Sequence, residues 1–173
     1  MLEAIIFVVF AFSMAYAAFS DLFTMTIANR VSLLLIATFA IVAPFTGMDL
    51  AAYGMHFAAG ALVLIITFGL FALGGMGGGD AKLLSATAVW CGFGMPIVEY
   101  MVYATFFGGL LTIALLLWRG SMVAQMVGGR FDFLDTLGRK DVGVPYGIAL
   151  GIAGLVVAPS MPLINWAVNS IAS

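Results

Sequence analysis

Charged residues are rare in this chain, and they divide it into long uncharged stretches. Only 8% of the 173 residues are Asp, Glu, Lys or Arg, whereas soluble domains carry about 25%. A water-soluble fold of this size could not cover its surface with so few charges. We therefore predict a membrane protein of one domain, residues 1–173. The uncharged stretches are 4–20, 31–48, 50–79, 83–98, 100–118 and 142–173.

These stretches resemble transmembrane helices in length. A helix needs about 20 apolar residues to cross the hydrocarbon core, within a range of about 17–25, and the first, second and fifth stretches fit. The first lacks the basic start of a signal peptide, so we expect it to be a retained helix. The third allows a helix ending near Leu73, the fourth is short, and Pro159 and Pro162 should break or end a helix in the sixth. The sequence therefore predicts an all-α transmembrane bundle of about six spans.

The basic residues indicate how the spans are oriented, because cytoplasmic loops of membrane proteins are enriched in Lys and Arg. Here they are confined to alternate connections, and the connections on the other side carry only acids. We therefore predict an N-terminus outside, with cytoplasmic connections around 21–30, 74–82 and 119–143. The basic residues are Arg30, Lys82, Arg119, Arg130, Arg139 and Lys140, and the acids on the other side are Glu3, Asp49 and Glu99.

The loop over about 119–143 is the one sizeable connection. Apolar Phe131, Phe133 and Leu134 alternate in it with Asp132 and Asp135. The segment could lie on the membrane surface or dock against the helix bundle, and the pattern fits both.

Composition also argues against several classes of function. The net charge of −2 gives no reason to expect a nucleic-acid partner. The single cysteine, Cys91, can form no internal disulfide and supplies no paired zinc motif. We expect no metal site and no cofactor.

Two acids could carry chemistry, since acids at the membrane edge are costly and often functional. Asp21 follows the first predicted span and Asp80 precedes the fourth, which places both at the cytoplasmic face. Two carboxyl groups held close share one proton, so that one activates a water while the other polarises a carbonyl group. Taken singly, each has a structural alternative. Asp80 could cap a helix that starts near Leu83, and Asp21 could only mark a helix end.

The residues around both acids favour chemistry. Five glycines in the six positions before Asp80, residues 74–79, rule out an ordinary helix there and let another backbone approach closely. The order Gly-Asp-x-Lys does not fit a phosphate-binding loop. Asp21 is followed by a polar break and then by Asn29 at the start of the next span.

These motifs resemble those of the type IV prepilin peptidases. Gly77-Gly78-Gly79-Asp80 is similar to the GxGD motif of that family, with Lys82 continuing the match. The segment from Asp21 to Asn29 resembles the family's first aspartate motif, and Val144-Pro145-Tyr146-Gly147 is similar to a motif of its short members. Both aspartate motifs, in this order in a chain this short, are more specific than GxGD alone.

The resemblance implies a membrane-embedded aspartic endopeptidase with Asp21 and Asp80 as its catalytic pair, supported by Gly77, Gly79, Lys82 and Asn29. It implies prepilin or pseudopilin substrates, cut after a short basic leader at the cytoplasmic face of the bacterial inner membrane. The short members of tight-adherence (Flp-type) pilus systems are the most similar, which suggests contact with pilus-assembly machinery. The cysteine-bearing region of the long members is absent from this sequence, so we expect no N-methyltransferase activity.

Two other functions remain to be compared with the peptidase. A small transporter or other non-enzymatic membrane component would be expected to hold its acids near the middle of the bilayer, often on repeated broken helices. Here the acids are predicted at one face, and no internal repeat is visible. An inactive relative kept as a pilus-assembly scaffold is the other alternative, although both acids are present.

Overall fold

The chain folds into helices that pack on one another, as a computed structural model describes for residues 1–119, 121, 132–139 and 142–172. This part of the chain contains no strand, so the predicted all-α bundle is confirmed. The helices are α1 (Leu2–Thr24), α2 (Asn29–Val42), α3 (Leu50–Ala72), α4 (Gly78–Cys91), α5 (Met95–Arg119), α6 (Asp132–Gly138), α7 (Tyr146–Val157) and α8 (Pro162–Ala172).

Four segments of the described chain are long and apolar enough to cross a membrane: α1, residues 29–46 (α2 with its 3-10 extension), α3 and α5. Helices α7 and α8 meet at a 51° bend, and together they form a fifth span if the bent pair crosses the membrane as one unit. The bend lies at Pro159 and Pro162, where the sequence predicted a break. The count of six spans and the outward N-terminus stay predictions.

The short helix α4 lies at the centre of the bundle. It packs against α2, α3 and α7, and every residue from Leu83 to Cys91 is buried. Its 14 residues extend about 21 Å at 1.5 Å per residue, less than the roughly 30 Å of the hydrocarbon core. A helix enclosed by other helices can carry polar Ser85 and Thr87, whose hydroxyl groups donate to carbonyl groups one turn back.

Two helix boundaries differ from the sequence prediction. Helix α1 continues through Asp21 to Thr24, so Asp21 lies in its last turn rather than after it. Helix α4 begins at Gly78, not near Leu83, so Gly78 and Gly79 belong to its first turn. The reason is packing: a Cβ on Gly79 would lie 3.1 Å from the Ile27 side chain, so the glycine lets the helix start against its neighbour.

Part of the long loop docks on the bundle. Phe133 of α6 packs edge-on against Phe23 of α1, with ring centroids 5.3 Å apart, and Leu137 is buried. Of the two alternatives for the loop, docking is therefore right for α6. Phe131 lies outside the described residues, as do Arg130 and Lys140.

Candidate active site

Asp21 is fixed by a backbone amide from a distant helix. Its side chain is buried, and its Oδ2 accepts a hydrogen bond of 2.7 Å from the N–H of Gly147. Gly147 is the second residue of α7, where a backbone N–H has no partner within its own helix. The Asp21 carboxylate therefore caps α7 from the end of α1.

This contact requires a glycine at position 147. A Cβ there would lie 2.8 Å from Cβ and 2.9 Å from Oδ2 of Asp21, and 2.8 Å from Cδ1 of Ile27. Any larger residue would push α7 away from Asp21. The sequence indicated Gly147 as part of a family motif, but it did not predict the hydrogen bond to Asp21.

Asp80 lies in the first turn of α4, with a half-buried side chain. Its carboxyl group turns back toward the backbone of Gly77. A Cβ on Gly77 would lie 2.6 Å from Oδ2 of Asp80, so a larger residue there would force the Asp80 carboxyl group to turn away. Asp80 therefore lies within the first turn of a helix whose N-cap is Gly77, so it is not the cap of a helix that starts near Leu83.

The two acids come together at one place. Both line a cavity of about 270 Å³ and an adjoining one of about 310 Å³. Gly77 and Met25 also line both cavities. The smaller cavity is completed by Thr26, Ile27, Gly78 and Gly79, and the larger by Gly74, Gly75, Met76, Gly143, Val144 and Tyr146. A larger cavity of about 410 Å³ lies between α1 and α2, but neither aspartate lines it.

Met25 is a cavity residue that the sequence did not indicate. It has a left-handed backbone, with φ 53°, and its N–H donates to the Asp21 carbonyl oxygen at 2.9 Å. Non-glycine residues seldom adopt this conformation, and here it ends α1 shortly after Asp21. No glycine or asparagine marks the position, so the sequence gives no signal for it.

The other predicted site residues divide into two groups. Gly77 and Gly79 line the cavities. Lys82 and Asn29 line neither cavity. They bind each other on an exposed face, where the Lys82 Nζ donates to the Asn29 Oδ1 at 2.8 Å. This pair ties α4 to the start of α2 and lies beside the cavities rather than in them.

The comparisons agree with the motifs. A model of the type IV leader peptidase family matches residues 8–117, which include Asp21, Asp80 and the glycines before it. No match was found among curated proteins or among solved structures.

Proposed function

Since the chain belongs to the type IV leader peptidase family, we propose that it is an aspartic endopeptidase and that Asp21 and Asp80 are its catalytic pair. The observation that carries this proposal is that the two carboxyl groups, from different helices, line the same two cavities. The glycines around Asp80 leave the cavities open to an extended peptide backbone, which a protease must admit.

The reaction needs one proton on the pair. One carboxylate takes a proton from a water molecule, which attacks the scissile carbonyl carbon, while the protonated carboxyl group donates to the carbonyl oxygen. The hydrogen bond from Gly147 to Asp21 fixes the orientation of one member. The loop glycines leave room for the substrate beside the other.

The substrates we propose are prepilins or pseudopilins of a tight-adherence (Flp-type) system, cut after their short basic leader. We place the reaction at the cytoplasmic face of the bacterial inner membrane, because Arg30 and Lys82 lie close in sequence to the two acids. Contact with pilus-assembly machinery would follow from that role.

The test is cleavage of a prepilin precursor from the same genome, co-expressed with the chain and read by mass spectrometry. Asp21→Asn and Asp80→Asn should each abolish cleavage, because Asn keeps the shape of Asp but cannot share the proton. Asn at position 21 also keeps an oxygen that can accept from the Gly147 N–H, and Asn at position 80 has nearly the same shape as Asp, so both variants should stay folded and inserted. The double variant should be no worse than either single one, since the pair acts as a unit.

Asp49→Asn is the matched control. Asp49 also caps a helix, accepting from the Ala51 N–H at 3.2 Å, but it lies at the start of α3 and lines neither cavity. This variant should cleave normally. Wild-type cleavage by either the Asp21 or the Asp80 variant would refute the mechanism, and an inserted wild-type chain that never cleaves would favour the scaffold alternative. The same spectra should show a product with a free N-terminus, and full N-methylation by the purified chain would contradict the absence of methyltransferase activity.

A further inference from the structure

Arg119, the last residue of α5, joins two segments of chain that are distant from it in sequence. Its Nε donates to the Leu137 carbonyl oxygen and its Nη2 to the Gly143 carbonyl oxygen, each at 2.8 Å. A guanidinium group presents five N–H donors in a fixed planar arrangement, so one side chain can hold two carbonyl groups at once. Arg119 therefore ties the end of α6 to the segment of chain that precedes α7.

The segment held at Gly143 leads directly to the acids. Gly143 and Tyr146 line the larger cavity together with Asp21 and Asp80. Gly147, which follows, donates its N–H to Asp21. Because Gly147 follows Gly143 by only four residues, a shift of the backbone at Gly143 can be passed along the chain to the hydrogen bond with Asp21.

A second contact fastens the same segment to α5. The Tyr146 hydroxyl group lies 3.2 Å from that of Thr112, and its ring packs so closely that a Cβ on Gly108 would come within 2.8 Å of it. Pro145, between the two attachment points, is buried and has a restricted backbone. The segment is thus held to α5 at both ends.

We propose that Arg119 is a positioning residue for the catalytic pair, which sets the Gly147 N–H against Asp21 by holding the Gly143 carbonyl group. The inference rests on the proposed peptidase function. The hydrogen bonds of Arg119 go to backbone carbonyl groups and not to either carboxylate, so the role of Arg119 depends on the shape of the guanidinium group rather than on charge alone.

The dependence on guanidinium shape distinguishes a positioning role of Arg119 from the role in membrane topology that any basic residue at the cytoplasmic face can have. Arg119→Lys keeps the positive charge but cannot bridge two carbonyl groups in the same planar geometry. Arg119→Met removes both charge and donors. Arg30→Lys and Arg30→Met are the matched controls, because Arg30 is an exposed basic residue on the same predicted face and lines neither acid cavity.

Two measurements on the purified full chain in lipid nanodiscs test the proposal. Hydrogen–deuterium exchange of peptides that cover residues 143–147 reports how firmly the backbone of this segment is held. The kcat and KM for the prepilin precursor report the rate of cleavage and the apparent affinity for the substrate. Arg119→Lys should exchange faster in this segment and lose between about tenfold and a hundredfold in kcat, as a small misplacement of a catalytic group does. Arg119→Met should lose more, and both Arg30 variants should match the wild type.

The outcomes separate this inference from the proposed function. Wild-type exchange and wild-type kcat in Arg119→Lys would overturn it, and so would a lower melting temperature with unchanged kcat per folded molecule. If Arg119→Met does not fold, Arg119→Lys decides alone. If the wild type fails to cleave the precursor, the peptidase proposal fails. Unchanged hydrogen–deuterium exchange in Arg119→Lys would then also refute the proposal that Arg119 holds the segment at Gly143.

Discussion

Gly147→Ala should damage the site by a single methyl group. The new Cβ would lie 2.8 Å from Cβ of Asp21 and 2.8 Å from Cδ1 of Ile27, whereas carbon atoms in contact prefer about 3.5–4.0 Å. Helix α7 or Asp21 must therefore move by roughly 0.7 Å or more to restore ordinary contact distances. The Asp21 Cβ is attached to the backbone of α1 and cannot rotate out of the way.

Two effects of opposite sign act on stability. Overpacking of this kind costs about 1–3 kcal/mol, while replacing a helical glycine by alanine gains about 0.5–1 kcal/mol. We expect a net destabilisation of about 0–2.5 kcal/mol. Activity should fall further than stability, between about tenfold and a hundredfold per folded molecule, because the displaced group orients Asp21, one of the two proposed catalytic carboxyl groups.

Gly109→Ala is the control, with the same chemical change in α5. A Cβ at Gly109 would meet nothing within 4 Å, so this variant should be as stable as the wild type or slightly more stable, and equally active. The assay is prepilin processing at matched protein amounts in membranes, alongside the melting temperature of the purified chains. A Gly147→Ala variant that cleaves at the wild-type rate would show that the close approach of α7 to Asp21 has no part in the reaction.

Three further predictions test other parts of the site. Gly79→Val should reduce cleavage more than membrane abundance, because its Cβ would lie 3.1 Å from the Ile27 side chain and branching restricts the backbone beside the acid; equal cleavage per folded molecule would make the loop a mere linker. Lys82→Met should lower the melting temperature slightly and retain cleavage, because the hydrogen bond it loses lies outside the cavities; a large loss of kcat would place Lys82 in the reaction. Reporter fusions after Arg30, after Lys82 and within residues 119–141 should report the cytoplasm, and fusions beside Asp49 and Glu99 should report the outside. Opposite answers for the positions of Asp21 and Asp80 would contradict a shared site.

The spacing of charges in the sequence predicted most of the helices, because a stretch without charge in a chain this apolar has few alternatives to a helix in a bilayer. It placed the helix boundaries less well. Asp21 reads as the end of a span, yet α1 continues to Thr24 because a terminal acid does not itself stop a helix. Gly78 and Gly79 read as loop, yet they join α4, because close packing of Gly78 against Phe71 and of Gly79 against Ile27 outweighs their poor helix propensity.

The pair of acids could be predicted from the sequence, whereas the contacts around the pair could not. Asp21 and Asp80 could be paired because the predicted topology brings them to one face. The hydrogen bond from Gly147 joins residues 126 positions apart and uses a backbone N–H, which every residue except proline has. The left-handed Met25 likewise has no side-chain signal. Both features depend on how the helices pack.

The same contacts explain how the acids are held, although the described part of the chain gives them no cationic partner. Within the described residues neither acid forms a salt bridge, and Lys82 is bound to Asn29 instead. Each acid lies at a helix N-terminus, Asp21 at that of α7 and Asp80 at that of α4. The free N–H groups and the positive end of the helix dipole stabilise negative charge there. A lysine or arginine paired with either carboxylate would hold it in the charged form and oppose the shared proton that the mechanism needs. A helix N-terminus orients a carboxyl group but exerts a weaker electric field on it than a paired lysine or arginine would. The same site can therefore hold a carboxylate and a carboxylic acid side by side.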